Sequence, residues 1–209
     1  MESLQDKTLI ILVGPTAIGK STLMNKVIRL HPEFGRVTGF TTRGPRPNDE
    51  PGQYRYLIKE EVERKIANNE LVQYAIFPTT KQIYGTEILD YVKTYNIKDI
   101  LANAVDSFRL LPFQKTITIS LTAPAQEWRK WFLSRYPKPS DEAMKRLEEA
   151  KLSIEWSLSD TETYWLENLP DHLANTAQAL IDIAIDQPPR VVPEDPAAIL
   201  QLIEKGIWT

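Results

Sequence analysis

Residues 8–21 of the chain read TLIILVGPTAIGKS, and this stretch carries the strongest structural signal in the sequence. Its first six residues are a continuous apolar run with β-branched side chains, which predicts a buried strand of a parallel sheet. Its last eight residues match the pattern G-x-x-x-x-G-K-[ST], placed between that strand and a helix predicted over residues 20–30. The sequence therefore predicts a phosphate-binding P-loop that runs from Gly14 to Ser21.

The residue types in this loop suit the phosphates of a nucleoside triphosphate. Glycines let backbone N–H groups approach phosphate oxygens closely, and the following helix directs its positive N-terminal end at the anion. Lys20 is expected to be exposed and to reach the β- and γ-phosphates, while the Ser21 hydroxyl is expected to bind magnesium. We therefore predict ATP with Mg²⁺, bound by Gly14, Pro15, Thr16, Ala17, Ile18, Gly19, Lys20, Ser21 and Thr22.

The rest of the chain alternates between strand and helix patterns. Apolar and β-branched runs predict strands at 37–41, 54–58, 71–77, 97–103, 115–121 and 165–168. Helical periodicity predicts helices at 60–68, 86–95, 125–135, 140–165, 176–185 and 196–205. This alternation predicts an α/β fold with a three-layer core around a parallel sheet.

Composition excludes several classes of function. The 209 residues include 25 Lys and Arg against 28 Asp and Glu, a formal net charge of −3, so no basic surface for nucleic acid is expected. There are no cysteines and two histidines, which excludes disulfides and thiolate metal sites. The apolar run after Lys7 is too short to span a bilayer, so we expect no membrane partner and a cytoplasmic location.

A second cluster of charge follows the first strand and helix. Residues 41–46 read TTRGPR, and two arginines three apart in a proline-stiffened loop suit a phosphate dianion. Residues 52–56 read GQYRY and add phenol hydroxyls and another cation. Taken alone, an arginine-rich loop is more often solvated surface than a binding site.

The order of these motifs resembles that of the guanylate kinase family: a P-loop, then T-T-R-x-P-R, then G-x-Y-x-Y, then Ile83-Tyr84-Gly85-Thr86. The resemblance implies a P-loop kinase core over residues 7–37, 89–128 and 147–186. It also implies an inserted small α+β subdomain over 38–88 that binds the phosphorylated acceptor, and a helical lid over 129–146. Residues 187–209 lie outside the family pattern as a C-terminal extension.

The resemblance also implies roles for particular residues. Lys20, Arg43, Arg135 and Arg146 are implied to be catalytic, the last two as lid arginines that contact the transferring phosphoryl group. Asn168 is implied to join the ATP-binding residues. The implied acceptor-binding residues are Arg43, Arg46, Tyr54, Gln73, Tyr84 and Thr86, with Arg55 in the place of Tyr54 if no residue is deleted after Gly52.

The base-reading positions depart from the family pattern. Gln73 stands where the family has a glutamate that accepts guanine N–H groups, and Gly39 stands where it has a serine. Residues 102–104 read ANA where the family has Asp-x-Asp, and the nearby Asp106 is either that acid displaced or a helix cap. Because an amide offers one acceptor and a competing NH₂, the sequence predicts weakened guanine recognition.

The function predicted from these observations is ATP-dependent phosphoryl transfer to a small phosphorylated acceptor, with GMP as the family's default. One alternative is a kinase of a sugar phosphate such as a ribose bisphosphate, which Gln73 and Ala104 favour. Another is a non-catalytic binding module of guanylate-kinase-like fold, against which the intact P-loop counts. The sequence leaves the oligomeric state open.

Overall fold

A computed structural model of the chain describes residues 3–46, 49, 52, 54–76 and 80–208. The strands are β1 (Thr8–Val13), β2 (Phe34–Arg36), β3 (Gly39–Thr41), β4 (Tyr54–Tyr56), β5 (Leu71–Ile76), β6 (Ile83–Glu87), β7 (Tyr95–Asp99), β8 (Lys115–Thr122) and β9 (Tyr164–Glu167). The helices are α1 (Lys20–Leu30), α2 (Lys59–Ala67), α3 (Val105–Arg109), α4 (Ala125–Arg135), α5 (Asp141–Ser159), α6 (Leu173–Asp186) and α7 (Asp195–Lys205).

The predicted α/β fold with a parallel core sheet is confirmed. Five parallel strands form this sheet in the order β2-β7-β1-β8-β9, so the first strand of the chain lies at its centre. Every side chain of β1 is buried, which explains its uninterrupted apolar sequence.

Helices cover the core sheet on both faces. Alternate residues of a strand point to opposite faces, so Ile10 and Leu12 pack in one apolar cluster and Leu9, Ile11 and Val13 in another. The first cluster includes buried side chains of α1, α4, α5, α6 and α7, and the second includes side chains of α3. The sheet is therefore the middle layer of three.

A second, smaller sheet lies between β2 and β7 in the chain. Its strand order is β4-β3-β6-β5, with β3 and β4 parallel and the other two pairs antiparallel. Its own apolar cluster is small and centres on Phe40, Val62 and Ile83, which joins α2 to β3 and β6. Ion pairs add to it: Arg55 contacts Glu87 and Asp90, and Lys65 contacts Glu87 at 2.7 Å.

The helix predicted over residues 86–95 is wrong. Strand β6 continues to Glu87, and a single 3-10 turn over Ile88–Asp90 follows it. Thr86 is fully buried and its Oγ1 accepts a hydrogen bond from the Tyr91 hydroxyl at 2.9 Å, while the Glu87 N–H donates to the Asp90 carboxylate at 2.8 Å. These local bonds stop a helix from starting at Thr86.

The second core strand begins and ends earlier than predicted. Strand β7 pairs with β1 from Thr8↔Tyr95 to Leu12↔Asp99, and residues 102–104 form a 3-10 turn. The Tyr95 ring stacks on Phe34 of β2, with centroids 4.6 Å apart, and this contact holds the amino end of β7 in place. At its other end the last paired residue of β7 is Asp99, which lies opposite Leu12 at the carboxyl edge of the sheet.

The long helix predicted from Ser140 is also shorter than expected. Ser140 caps α5 by accepting a hydrogen bond from the Ala143 N–H, and the helix ends at Ser159. Within the ranges given above, no helix is long and apolar enough to cross a bilayer.

Candidate functional site

The P-loop connects β1 to α1 at the carboxyl edge of the core sheet. Gly14 has φ 134° and Gly19 has φ 96°, both in the region that favours glycine. A Cβ on Gly14 would lie 2.8 Å from the Leu121 carbonyl oxygen, and one on Gly19 would lie 2.5 Å from Asn168 Nδ2. The two glycines of the motif are therefore required by backbone conformation and by close packing.

Three donors or acceptors from other elements hold the loop in shape. The Gly14 N–H donates to Ser153 Oγ at 3.1 Å, and Trp128 Nε1 donates to the Thr16 carbonyl at 2.9 Å. Asn168 is buried beneath the loop, where its Nδ2 donates to the Ile18 carbonyl at 2.8 Å. Sequence reasoning missed Ser153, and it selected Asn168 as an ATP contact rather than as a support of the loop.

Lys20 is half-buried, so the expectation of an exposed lysine is wrong. Its Nζ turns back over the loop and donates to the carbonyls of Gly14 at 2.7 Å and Pro15 at 3.1 Å. Ser21 follows in the first turn of α1 and is half-buried, while Thr22 is exposed.

The charges that act on Lys20 include those of the two arginines predicted to lie in the lid. Burial lowers the pKa of Lys20 to about 8. The carboxylates of Asp99 and Glu149 oppose that decrease, and the guanidinium groups of Arg135 and Arg146 add to it. All four side chains are therefore within electrostatic range of the P-loop lysine.

This lowered pKa predicts that ATP binding is coupled to proton uptake. Below pH 8 Lys20 is charged before ATP arrives, whereas above pH 8 the polyphosphate must draw a proton onto it. We expect the apparent ATP affinity to fall as pH rises above 8, by up to about tenfold per pH unit. Calorimetry at pH 9 in two buffers of different ionisation enthalpy should show proton uptake that Lys20→Ala abolishes; equal heats in the two buffers would contradict the assignment.

Asp99 is a site residue that sequence reasoning missed. The resemblance places residues 102–104 at the family's acidic element, whereas β7 ends at Asp99, beside the end of β1. Burial raises the pKa of Tyr54, and Asp99 raises it further, so Asp99 is within electrostatic range of Tyr54 as well as of Lys20. The signal available in the sequence was an acidic residue, Asp99, within the run of residues 97–103 that is predicted to be a core strand.

Arg43 is the centre of the second cluster. It is buried, and it forms a bidentate pair with Asp49 through Nη1–Oδ2 at 2.7 Å and Nη2–Oδ1 at 2.6 Å. The Tyr54 ring lies beneath the guanidinium, 5.2 Å from its carbon to the ring centroid, and meets the Tyr84 ring edge-on at 5.8 Å. Hydrogen bonding to Asp49 raises the pKa of Arg43.

The Asp49 carboxylate collects donors from several residues of this cluster. Besides Arg43, it accepts hydrogen bonds from the Arg46 N–H at 2.7 Å and from the Tyr56 hydroxyl at 2.6 Å. The bond from Arg43 is the largest cause of the decrease in the pKa of Asp49. A set of donors that converges on one carboxylate is suited to an oxyanion such as a phosphate.

The other residues predicted to bind the acceptor differ in their exposure and in their contacts. The Arg46 side chain is exposed, and Gln73 is half-buried on β5. Thr86 does not present its side chain to a cleft: it is fully buried and bonded to Tyr91, because β6 extends through it. Arg55 is paired with Glu87 and Asp90, which leaves Tyr54, not Arg55, beside Arg43.

Gly39 leaves room for a lysine at the junction of the two sheets. A Cβ on Gly39 would lie 3.2 Å from Lys98 Nζ and 2.7 Å from the Gly85 carbonyl oxygen. Burial lowers the pKa of Lys98, and Asp99 and Asp90 oppose that decrease. Sequence reasoning missed Lys98, since a lysine in a core strand gives no signal of which neighbour it will meet.

Comparison with known proteins links this geometry to a family. A family model described as guanylate kinase matches residues 6–109. The guanylate kinase of Synechococcus sp. is 36% identical over 90 residues, which cover 43% of this chain and 48% of that protein. The match thus spans about half the length of that relative.

Other relatives match over longer stretches. The guanylate kinase of Schizosaccharomyces pombe is 27% identical over 71% of this chain and 76% of that protein, and that of Sus scrofa is 30% identical over 71% and 77%. A crystal structure of guanylate kinase from Anaplasma phagocytophilum has a TM-score of 0.56 at 17% identity, covering 100% of this chain and 98% of that one, which supports the fold. The P-loop, the paired cluster around Arg43 and these matches together place the chain in the guanylate kinase family.

Proposed function

We propose that the protein transfers the γ-phosphoryl group of ATP to a small phosphorylated acceptor, with the P-loop as donor site and the Arg43 cluster as acceptor site. The position of Asp99 carries this proposal, because it lies at the end of β7 opposite Leu12, one residue before the end of β1, and its charge influences the pKa values of both Lys20 and Tyr54. A donor site and an oxyanion site that share the influence of one carboxylate suit direct transfer between two bound phosphates.

The proposed reaction needs positioning and charge rather than a covalent intermediate. An oxygen of the acceptor phosphate attacks the γ-phosphorus in line, and the bond to the bridging oxygen of ADP breaks. Lys20, Arg135 and Arg146 offset the negative charge on the moving group, while Arg43 and the Arg46 N–H orient the acceptor. The influence of Arg135 and Arg146 on the pKa of Lys20 supports the roles proposed for these two arginines.

The side chains near the P-loop also fit a magnesium ion bound with ATP. Ser21 supplies a hydroxyl in the first turn of α1, and Asp99 a carboxylate at the end of the neighbouring strand. Mg²⁺ prefers oxygen ligands and keeps several waters beside phosphate oxygens. We propose that Ser21 binds the ion, which when present neutralises phosphate charge.

One assay tests the proposed function. ADP release from ATP and Mg²⁺ is measured with GMP, AMP, other nucleoside monophosphates and sugar phosphates as acceptors. We expect at least one acceptor to accelerate ADP release well above the rate without acceptor. If every acceptor leaves that rate unchanged, the proposal of a kinase is wrong and a binding module becomes the better account.

Base selectivity is expected to be weak because the amide at Gln73 offers one acceptor where a carboxylate would offer two. Guanine presents N1–H and N2–H₂ donors, whereas Gln73 offers an amide and Lys98, beside Gly39, adds a donor. We expect preference for GMP over AMP to be below about a hundredfold, where a site with complete polar partners reaches about 10⁴.

Restoring one acceptor tests the assignment of this pocket. Gln73→Glu should raise GMP turnover and leave AMP turnover unchanged, while Gln114→Glu, an exposed change ahead of β8, should affect neither. A wild-type protein that is fast and strictly specific for GMP would show that other residues read the base.

A further inference from the structure

Four residues form a row across the small sheet, which starts at the Arg43 cluster. Tyr54 of β4 pairs with Gly39 of β3, and Thr86 of β6 pairs with Gln73 of β5. The antiparallel register of β3 and β6 puts Gly39 beside Thr86, whose Cγ2 would lie 3.5 Å from a Cβ on Gly39. Residues opposite each other in neighbouring strands point to the same face of a sheet. This acceptor row therefore lies on one face, with Tyr54 beneath the Arg43 guanidinium at one end.

Lys98 reaches the acceptor row from the core sheet. Its position in β7 is fixed by pairing with Ile11 of β1. The Val37 N–H donates to the Ile97 carbonyl at 2.9 Å, which fixes the chain where it passes from the core sheet to β3. A Cβ on Gly39 would lie 3.2 Å from Lys98 Nζ. The ammonium group therefore lies on the face of the row where a side chain at position 39 would stand.

The ammonium group of Lys98 has hydrogen-bonding capacity to spare. Within the ranges that the structure describes, no residue accepts a hydrogen bond from Lys98 Nζ. Its charge is influenced by Asp99 and Asp90, but Asp90 is already paired with Arg55 at 2.8 Å. Lys98 is half-buried, and a charge kept away from water without a hydrogen-bond partner costs stability. A ligand that accepts a hydrogen bond at this place would compensate for that cost.

A single ammonium group suits a carbonyl oxygen better than a second phosphate. The proposed phosphate site offers the two-pronged guanidinium of Arg43 and the Arg46 N–H. Lys98 is one cation with the negative charges of Asp99 and Asp90 acting on it. These carboxylates would repel a phosphate dianion, whereas a neutral carbonyl oxygen needs only the donor.

We infer that Lys98 determines specificity by donating a hydrogen bond to the 6-oxo oxygen of a purine nucleotide whose phosphate lies at Arg43. This inference rests on the proposed function of the Arg43 cluster as acceptor site. Guanine and hypoxanthine carry an acceptor oxygen at position 6, whereas adenine carries an amino donor there, which would face the ammonium unpaired. The expected acceptors are therefore the 6-oxopurine monophosphates GMP and IMP alike, because Gln73 lacks the paired acceptors that would favour the 2-amino group.

Binding measured without ATP tests the inference apart from catalysis. In calorimetric titrations the wild-type protein should bind GMP and IMP about tenfold more tightly than AMP, an effect expected of one charged hydrogen bond. Lys98→Met keeps a long side chain and removes the ammonium, so both preferences should fall to about twofold or less. Lys93→Met removes an exposed lysine just ahead of β7 and should leave both preferences unchanged.

Thermal unfolding checks that Lys98→Met is folded. Equal affinities for IMP and AMP in the wild-type protein would overturn the inference, as would a preference for IMP that persists in Lys98→Met. A ribose bisphosphate that binds the wild-type protein more tightly than IMP, and loses this advantage in Lys98→Met, would replace the carbonyl oxygen with a second phosphate. A preference for IMP that depends on Lys98 in a protein without turnover would support the inference and refute the proposed kinase.

Discussion

Lys20→Ala is expected to lower kcat for phosphoryl transfer by a factor of about 10³ or more. The lysine supplies a positive charge within a half-buried loop, where a single missing stabilising group costs about 10²–10³ in rate or more. The variant also removes the bonds from Nζ to the Gly14 and Pro15 carbonyls. The loop keeps the bonds from Gly14 N–H to Ser153 and from Trp128 to the Thr16 carbonyl, so we expect the fold to persist.

Circular dichroism and thermal unfolding check that the variant is folded, and steady-state ADP release measures the rate. Lys26→Ala, on the same helix, is the matched control and should retain wild-type kcat. A folded Lys20→Ala protein with the wild-type rate would refute the P-loop as the donor site.

Arg43→Ala is expected to weaken acceptor binding by about 2–4 kcal/mol, the range for a buried, hydrogen-bonded charge that loses its partner. ATP affinity should stay within about twofold, because the Arg43 contacts lie in the smaller sheet and its loop. Arg43→Lys should restore part of the affinity, since an ammonium keeps the charge but lacks the planar fork. Titration of ATP and of the active acceptor into each variant measures both affinities.

Two further variants separate the roles in this cluster. Arg64→Ala removes an exposed arginine of α2, whose pair with Glu70 is long at 3.6 Å, and should change neither affinity. Asp49→Asn removes the charge that competes for Arg43, and an increase in acceptor affinity would indicate that the carboxylate and the phosphate use the same donors. Acceptor affinity that is unaffected by Arg43→Ala would place the acceptor's phosphate elsewhere.

Much of the core could be predicted because its signals are local. The apolar run at β1, the P-loop glycines and the helix over 20–30 each depend on neighbouring residues, and the structure gives the same bounds for β1 and α1. The start of β7 depended on Tyr95 stacking against Phe34, a residue far away in the sequence. No window of sequence contains that contact.

The same distinction explains the site. The motif residues Gly14, Gly19 and Lys20 are identified by spacing alone, whereas Asp99 matters because a parallel register brings the end of β7 beside the end of β1. Thr86 was expected at an acceptor-binding surface because it follows Tyr-Gly, but its exposure is decided by Tyr91, which lies five positions later and bonds to it. A motif therefore identifies residues of a site, whereas strand register and long-range contacts determine which side chains face that site.

The order of strands in the core sheet has a consequence for how the protein is made. Strand β1 is synthesised before both of its partners, β7 and β8, which begin at Tyr95 and Lys115. At about 5–20 residues per second, synthesis from β1 to the start of β7 takes roughly 4–17 s. During that interval the most apolar segment of the chain has neither neighbour, and it is flanked by Lys7 and by Gly14-Pro15, residue types that discourage its pairing with another nascent chain.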